Sequence, residues 1–193
     1  MKLRTLALLV CAPLTLLGCE STMKVENETT ATVFSGYKYV DAPLVLTVKD
    51  NRSHNHVGLI DDILKSSIDR VYSTSVVADD LEAAFSAQLQ NQGIRLVHNQ
   101  RVNPTYLVEV EKYFVNVTPF ESAKAEIILK VTLSSDNAKF SKTYDAYSEI
   151  ELDHNPTSAE VSELMNNLSN RIIRSIAVDE EINKNIAENV EKA

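Results

Sequence analysis

Three clusters of side chains in this 193-residue sequence have the types and spacing for chemistry. His54 and His56 are one residue apart, so on an extended backbone both imidazoles point the same way. With Asp50 nearby and the distant His98 or His154 as a third donor, they could hold zinc. The surrounding SHNH stretch is polar and loop-like, however, and solvated surface histidines are the commoner outcome. Glu149, Glu151 and Asp153 also alternate and could form a carboxylate site. The same pattern serves equally as a charged strand face that repels edge-to-edge pairing. Asp50-Asn51-Arg52 follows an apolar run. Asp and Asn in that place commonly bond local backbone to make a turn, and Arg52 then suits a carboxylate partner. The alternative is a binding edge at the strand's carboxyl end, made by Asp50, Asn51 and Arg52.

Other catalytic templates find no match. Beyond residue 18 the glycines are Gly36, Gly58 and Gly93, which cannot supply a nucleophile elbow, a Walker A loop or a dinucleotide-binding turn. No catalytic set, metal site or cofactor is therefore expected, and the chain is read as a non-enzyme.

The amino terminus is more informative. Lys2 and Arg4 precede Thr5 to Gly18, a 14-residue run without a charge. That is a signal peptide's layout, and it falls short of the roughly 20 residues that a membrane-spanning helix needs. The run ends in Leu16-Leu17-Gly18-Cys19, which resembles the lipobox of bacterial lipoproteins. The resemblance implies a lipid attached through the Cys19 thiol and cleavage between Gly18 and Cys19. Gly18 lets a protease approach the backbone, and Leu16 fits an apolar subsite. Cys11 leaves with the signal and Cys19 is consumed, so neither of the two cysteines remains for a disulfide or a nucleophile. Three acyl chains, as the resemblance implies, exceed the two-signal requirement for stable anchoring. An aspartate after the cysteine, which tends to retain such proteins in the inner membrane, is replaced here by Glu20, and this favours the inner leaflet of the outer membrane.

Loss of residues 1–18 leaves 175 residues and, with Lys2 and Arg4 gone, moves the formal charge from −8 to −10. That length suits one domain, and the acidic balance argues against nucleic acid and against adhesion to anionic headgroups. Residues 19–42 are mostly polar and read as a lipidated N-terminus and flexible tether, spanning roughly 25 Å as a coil. Tyr37 and Tyr39 could instead add an edge strand.

The remaining residues, 43–193, must form the domain. Leu44 to Val48 reads as a strand, and 57–72 as ambiguous between helix and strand. Ser75 as N-cap, with Val77, Leu81, Ala84, Phe85 and Leu89 on one face and Gly93 at the end, marks a helix. Short Ile94 to His98 precedes long Tyr106 to Val117, whose apolar phase switches, as a bulge near Lys112 would cause. Alternation over 125–133 and the segment 139–152 across an SSDNA turn complete three antiparallel strands. Thr157 and Glu160 form a capping-box pattern ahead of a helical stripe to Ile176, and Asp179 opens a second helix. The expectation is an α+β single domain: a mostly antiparallel sheet of about four to five strands with helices packed on one face.

The order of these features resembles the YajG-like family of bacterial lipoproteins. The resemblance rests on the lipobox, the strand into Asp50-Asn51-Arg52 and Val57-Gly58, the helix ending Leu89-Gln-Asn-Gln-Gly93-Ile94, the strand pair from Tyr106 to Leu133, the stretch Lys142-Thr-Tyr144 with Ala146 and Tyr147, and the C-terminal helix. It covers about 150 residues from Pro43. It implies a location and an architecture, with no catalytic residues to carry over. The expected role is a periplasm-facing accessory module, held to the membrane by its lipid and engaging an envelope protein partner. A small-ligand or lipid carrier using the space between sheet and helices is the alternative, and a periplasmic hydrolase a weaker one.

Overall fold

The computed structural model describes residues 22–29, 36–61, 68–98, 104–136 and 138–190. In chain order the elements are β1 (Met23–Val25), β2 (Ala42–Asp50), β3 (Gly58–Ile60), β4 (Asp69–Ser73), α1 (Val77–Asn91), β5 (Ile94–Leu96), β6 (Thr105–Thr118), β7 (Ser122–Ser134), β8 (Lys139–Glu151), α2 (Ser158–Ala177) and α3 (Glu180–Val190).

The sheet corrects the sequence expectation. Instead of four to five mostly antiparallel strands, eight strands form one mixed, strongly curled sheet. Four pairings among the described residues are parallel: β1 with β4, β2 with β5, and both β2 and β3 with β6. The physical reason is that long crossovers bring remote segments into register. Val45–Asp50 pairs with Thr105–Val110, about sixty residues later, and alternation within either strand carries no record of that partner. The antiparallel part is β6–β7–β8, with β3–β4 beside it.

The long β6 organises the whole. Along one edge it pairs with β7 from end to end. Its other edge is shared: β2 takes the first half and β3 the second, Gly58–Ile60 facing Val115–Val117. Between those two partners, residues 51–57 leave the edge opposite a bulge that lies between Val110 and Lys112. The bulge accounts for the phase switch: Tyr106, Val108 and Val110 before it, and Tyr113, Val115 and Val117 after it, all lie on the buried face. Gly58 permits the second pairing, because a Cβ there would stand 2.3 Å from the Val115 carbonyl oxygen.

Three helices cover that buried face. In α1, Leu81, Phe85 and Leu89 are buried; α2 contributes Leu168, Ile172 and Ile176, and α3 Ile182 and Ile186. The N-cap of α1 is Val76 rather than the expected Ser75, since the Ser75 hydroxyl donates to the Asp80 carboxylate instead of accepting from the helix. Gly93 has φ +89°, and its hydrogen faces the Tyr39 carbonyl so closely that a Cβ would meet that oxygen at 2.0 Å. The capping box of α2 is complete: Thr157 Oγ1 accepts from Glu160 N, and Glu160 accepts from Thr157 N at 2.8 Å. Asp179 Oδ1 accepts from the amides of Glu181 and Ile182 and so starts α3. The ambiguous segment resolves into β3 and β4 at its ends, while 62–67 lies outside the described residues.

Candidate functional site

Asp50, Asn51 and Arg52 stand where β2 parts from β6. Asp50 Oδ1 accepts from Arg52 N (3.1 Å) and Nε (2.9 Å), and its Oδ2 accepts from Nη2 at 2.7 Å. This is the fork geometry that makes Arg–carboxylate pairs strong, closed here over two residues. The Arg52 side chain is 9% exposed, lies 5.9 Å over the Tyr113 ring and donates through Nη1 to the Tyr113 carbonyl at 3.4 Å. Burial raises the Asp50 carboxyl, but the side-chain and backbone hydrogen bonds from Arg52 outweigh it and leave the group below the ordinary carboxylate range. Asn51 ties the turn to the sheet, its amide to the Val110 carbonyl (3.0 Å) and its Nδ2 to Glu109 Oε1 (2.9 Å). The triplet therefore spends its polar groups on shaping the loop.

What the loop presents is a cleft of about 360 Å³ on the sheet face away from the helices, lined by Arg52, Ser53, His54, His56, Glu111, Lys112, Tyr113, Phe114 and Asn116. His54 and His56 share one side, as their spacing suggests, but they stack on each other with ring centroids 5.0 Å apart. His56 also meets Phe114 edge-on at 5.8 Å and Tyr72 at 6.5 Å. Burial, then the neighbouring His54, Arg70 and Arg52, pushes the His56 imidazole below its ordinary value. Asp50 is committed to Arg52, and among the described residues no third donor joins the pair, since no three His, Cys, Asp or Glu side chains converge there as metal ligands. His154 is engaged elsewhere, with Asp153 at 2.7 Å and Glu160 at 2.9 Å.

Two carboxylates of the alternating cluster have partners: Asp153 meets His154, and Glu149 a hydroxyl and a lysine. Glu149 takes the Tyr147 hydroxyl at 2.7 Å and Lys124 at 3.2 Å. With Glu121, Glu151 and Asp153 it lines an open acidic groove beside the β6–β7 turn. Lys142, within the family-like stretch, joins β8 to the start of α3 through Asp179 and Glu181, both at 2.8 Å. Lys112–Glu126 (2.6 Å) and Lys130–Glu109 (3.3 Å) pair across the same uncovered face as Lys124–Glu149.

With this geometry in place, comparison with known proteins gives the family. The Lipoprotein_16 family, described as "Uncharacterized lipoprotein", matches residues 31–187. The chain belongs to this YajG-like lipoprotein family. No curated protein matches it. Among solved structures, protein XCC0632 of Xanthomonas campestris, a DUF330 member, aligns with TM-score 0.62 at 13% identity over 86% of this chain and 98% of that one, which shows a shared fold. An uncharacterized protein (TM-score 0.40, 14% identity, 72% of this chain and 98% of that one) and a PelC dodecamer from Paraburkholderia phytofirmans (0.35, 8%, 72% and 95%) are more distant, and nothing is built on them.

Gly18 and Cys19 lie outside the described residues. Just beyond them, residues 22–29 are docked on the domain where composition alone suggests a free tether. Met23–Val25 pairs with Val71–Ser73, and Val25 is fully buried. Glu26 N donates to Ser162 Oγ and Glu28 N to Asn166 Oδ1, both at 3.0 Å, and Asn166 returns a bond to the Glu26 carbonyl at 3.1 Å. Between them Asn27 enters a polar knot. Its Nδ2 donates to Ser73 Oγ (2.7 Å) and Asp80 Oδ2 (3.0 Å), while its Oδ1 accepts from the Tyr113 hydroxyl (3.0 Å). Burial pushes the Tyr113 phenol up to about 12. Sequence reasoning missed this knot, since a polar run such as KVENET offers no periodicity; buried Val25 flanked by side-chain donors is its one local signal.

Proposed function

We propose that this chain is a lipid-anchored, periplasm-facing envelope lipoprotein of the outer membrane that works as a non-catalytic interaction module, holding a protein partner at the membrane. The family supports the lipoprotein part. The observation that carries the rest is the commitment of reactive-looking groups to one another around a shaped surface. Asp50 with Arg52, Asn51 with Glu109 and His54 with His56 build a rigid rim. The cleft it frames offers Phe114 and the His56 ring, and on the same face of the sheet Tyr147 is 53% exposed. Aromatic groups in a charged surround are the usual centre of a protein contact. The carrier alternative finds little room, because the space lined by Phe85, Leu89, Tyr106, Ile173, Ile182 and Ile186 is about 10 Å³, enough for one water at most.

The test is in-cell photo-crosslinking from a reactive amino acid replacing Phe114 or Tyr147. One recurrent envelope protein adduct from both positions, absent when the probe replaces exposed Val40, is the expected result. Replacing His54 and His56 together by Ala should preserve the cellular phenotype, and a form lacking Cys19 should weaken it by loss of local concentration. An essential histidine pair, with stoichiometric zinc in the purified protein, would require a metal enzyme or carrier instead.

A further inference from the structure

The sheet register fixes which end of the molecule faces the anchor. Met23 lies in one row with Val71, Gly58 and Val115 across β1, β4, β3 and β6. Going backward along β1 is the same direction as going forward along β6, because β1 runs parallel to β4, β4 antiparallel to β3, and β3 parallel to β6. The chain leading to Cys19 therefore departs from the end of the sheet that carries the β6–β7 turn. Met23 is four positions along the chain from Cys19, a reach of at most about 14 Å. From Val115 to Thr118, β6 already advances about 10 Å toward the same side, with the turn beyond it. A lipid on Cys19 thus leaves only a few ångströms between that turn and the bilayer.

At its tip stands Phe120. It is 60% exposed with φ +60°, in a turn closed by Glu121 N donating to the Thr118 carbonyl at 3.1 Å. Proline second and a positive-φ residue third is a type II arrangement, which favours glycine or asparagine at Phe120's place. The Phe120 amide donates to the His154 carbonyl at 3.2 Å, which holds the backbone, but a bulky aromatic at positive φ is strained and its ring is left mostly in solvent. Ile68, 59% exposed, marks the same end on β4's side. Of the other large exposed apolar residues, Val40 and Val178 lie at the far end, by the C-termini of α1 and α2, Val76 at the N-cap of α1 and Tyr147 within β8.

We propose that Phe120 is a second membrane contact, inserting into the bilayer interface so that the lipidated amino terminus and the β6–β7 turn together fix the orientation of the domain. The proposal rests on the lipid-anchor reading above. The two contacts are three strand spacings apart, about 14 Å, which is enough to oppose tilting. A phenyl ring suits the interfacial zone in which aromatic side chains concentrate. The neighbouring Glu121, Glu149, Glu151 and Asp153 direct the contact to zwitterionic rather than anionic lipid, since like charges repel.

The chain has no tryptophan, so Phe120→Trp introduces a single indole reporter. The mature chain starting at Cys19, its sole cysteine, is coupled through that thiol to a maleimide lipid in phosphatidylcholine vesicles with brominated acyl chains. The Phe120→Trp indole should shift to the blue and be quenched, Val178→Trp should do neither, and a share of phosphatidylglycerol should weaken the effect. Equal emission with and without bilayer, or equal quenching at both positions, overturns the proposal. Palmitate labelling of Cys19 in cells tests the anchor separately, because the coupled protein reports orientation whether or not cells lipidate it. Phe120→Gly supplies a second measurement: relief of the positive φ should raise the unfolding midpoint while the bilayer's protection of the turn against hydrogen exchange disappears. Retained protection in that variant also counts against the ring as the contact.

Discussion

If the docked amino terminus belongs to the fold, Asn27→Ala should loosen it in a measurable way. The substitution deletes three hydrogen bonds, to Ser73, Asp80 and Tyr113. Each partner keeps one other bond: Ser73 Oγ from Ser75 N, Asp80 from the Ser75 hydroxyl, and Tyr113 with Ser169 Oγ at 3.2 Å. The cost is therefore that of lost bonds rather than of orphaned groups, about 1 kcal/mol apiece, or about 2–3 kcal/mol in all. Against a stability of about 5–15 kcal/mol that is a clear shift of the urea midpoint with little change in slope. Hydrogen exchange adds the location. Protection at Glu26 and Glu28, whose amides donate to Ser162 and Asn166, should fall by more than protection in β7, which is paired along both edges by β6 and β8. An unchanged midpoint together with unchanged exchange at those two amides would refute the docking, and with it the short reach from Met23 to the proposed anchor at Cys19.

Leu89 and Ile127 are 3% and 0% exposed, so replacement of either by Ala should cost about 2–5 kcal/mol, read as a lowered denaturation midpoint; an unchanged midpoint for both would mean the faces are misassigned. His56 should titrate below the ordinary value of about 6.5 in an NMR pH series, and His54→Ala should move it part of the way back up. A base with a depressed folded-state pKa adds stability that is present above its unfolded value and lost as pH falls through the folded one, so the domain should weaken on acidification below about pH 6.5. His154 has the opposite sign: hydrogen bonds to Asp153 and Glu160 raise it, so its contribution is full below the unfolded value and fades as pH climbs through the raised one, visible as a titration above about 6.5 that Glu160→Gln lowers. Cys19→Ser should abolish palmitate incorporation and normal processing; continued labelling would overturn the lipobox assignment.

How far the sequence reveals this structure depends on whether the cause is local. The strands β6, β7 and β8 and the capping box of α2 are legible because alternation, a phase switch at a bulge and the Thr157–Glu160 spacing are all written within a dozen residues. The strands β1, β3 and β4 have three, three and five residues, too few for a period to show, and each is fixed by partners that composition does not name. Hence the missed parallel pairings and the docked amino terminus. At the site, turn chemistry correctly suggests that Arg52 seeks a carboxylate, and Asp50, two residues away, is the one it finds. The histidine pair is visible by spacing, but its stacked arrangement is not, since that depends on Phe114 and Tyr72 arriving from other strands.

The same distinction bears on how a small lipoprotein can control its orientation. A free coil of the expected length would let the domain turn at will about 25 Å from the bilayer, and any face could then meet a partner. Three residues of β1 remove that freedom. Because they pair with β4 rather than trail from it, the described chain nearest Cys19 lies in the sheet itself, and with the proposed lipid on Cys19 the orientation of every strand would be referred to the membrane. On the proposed anchoring, the uncovered face with Phe114, His56 and Tyr147 would stand roughly along the membrane normal, accessible from the side, with the β6–β7 turn at the end nearest the lipid. A partner held in place by this surface would approach parallel to the bilayer. Lengthening the chain between Cys19 and Met23 with a flexible insert should therefore impair function even though the lipid, the domain and the cleft are all intact, and full activity with a long insert would show that distance and orientation do not matter.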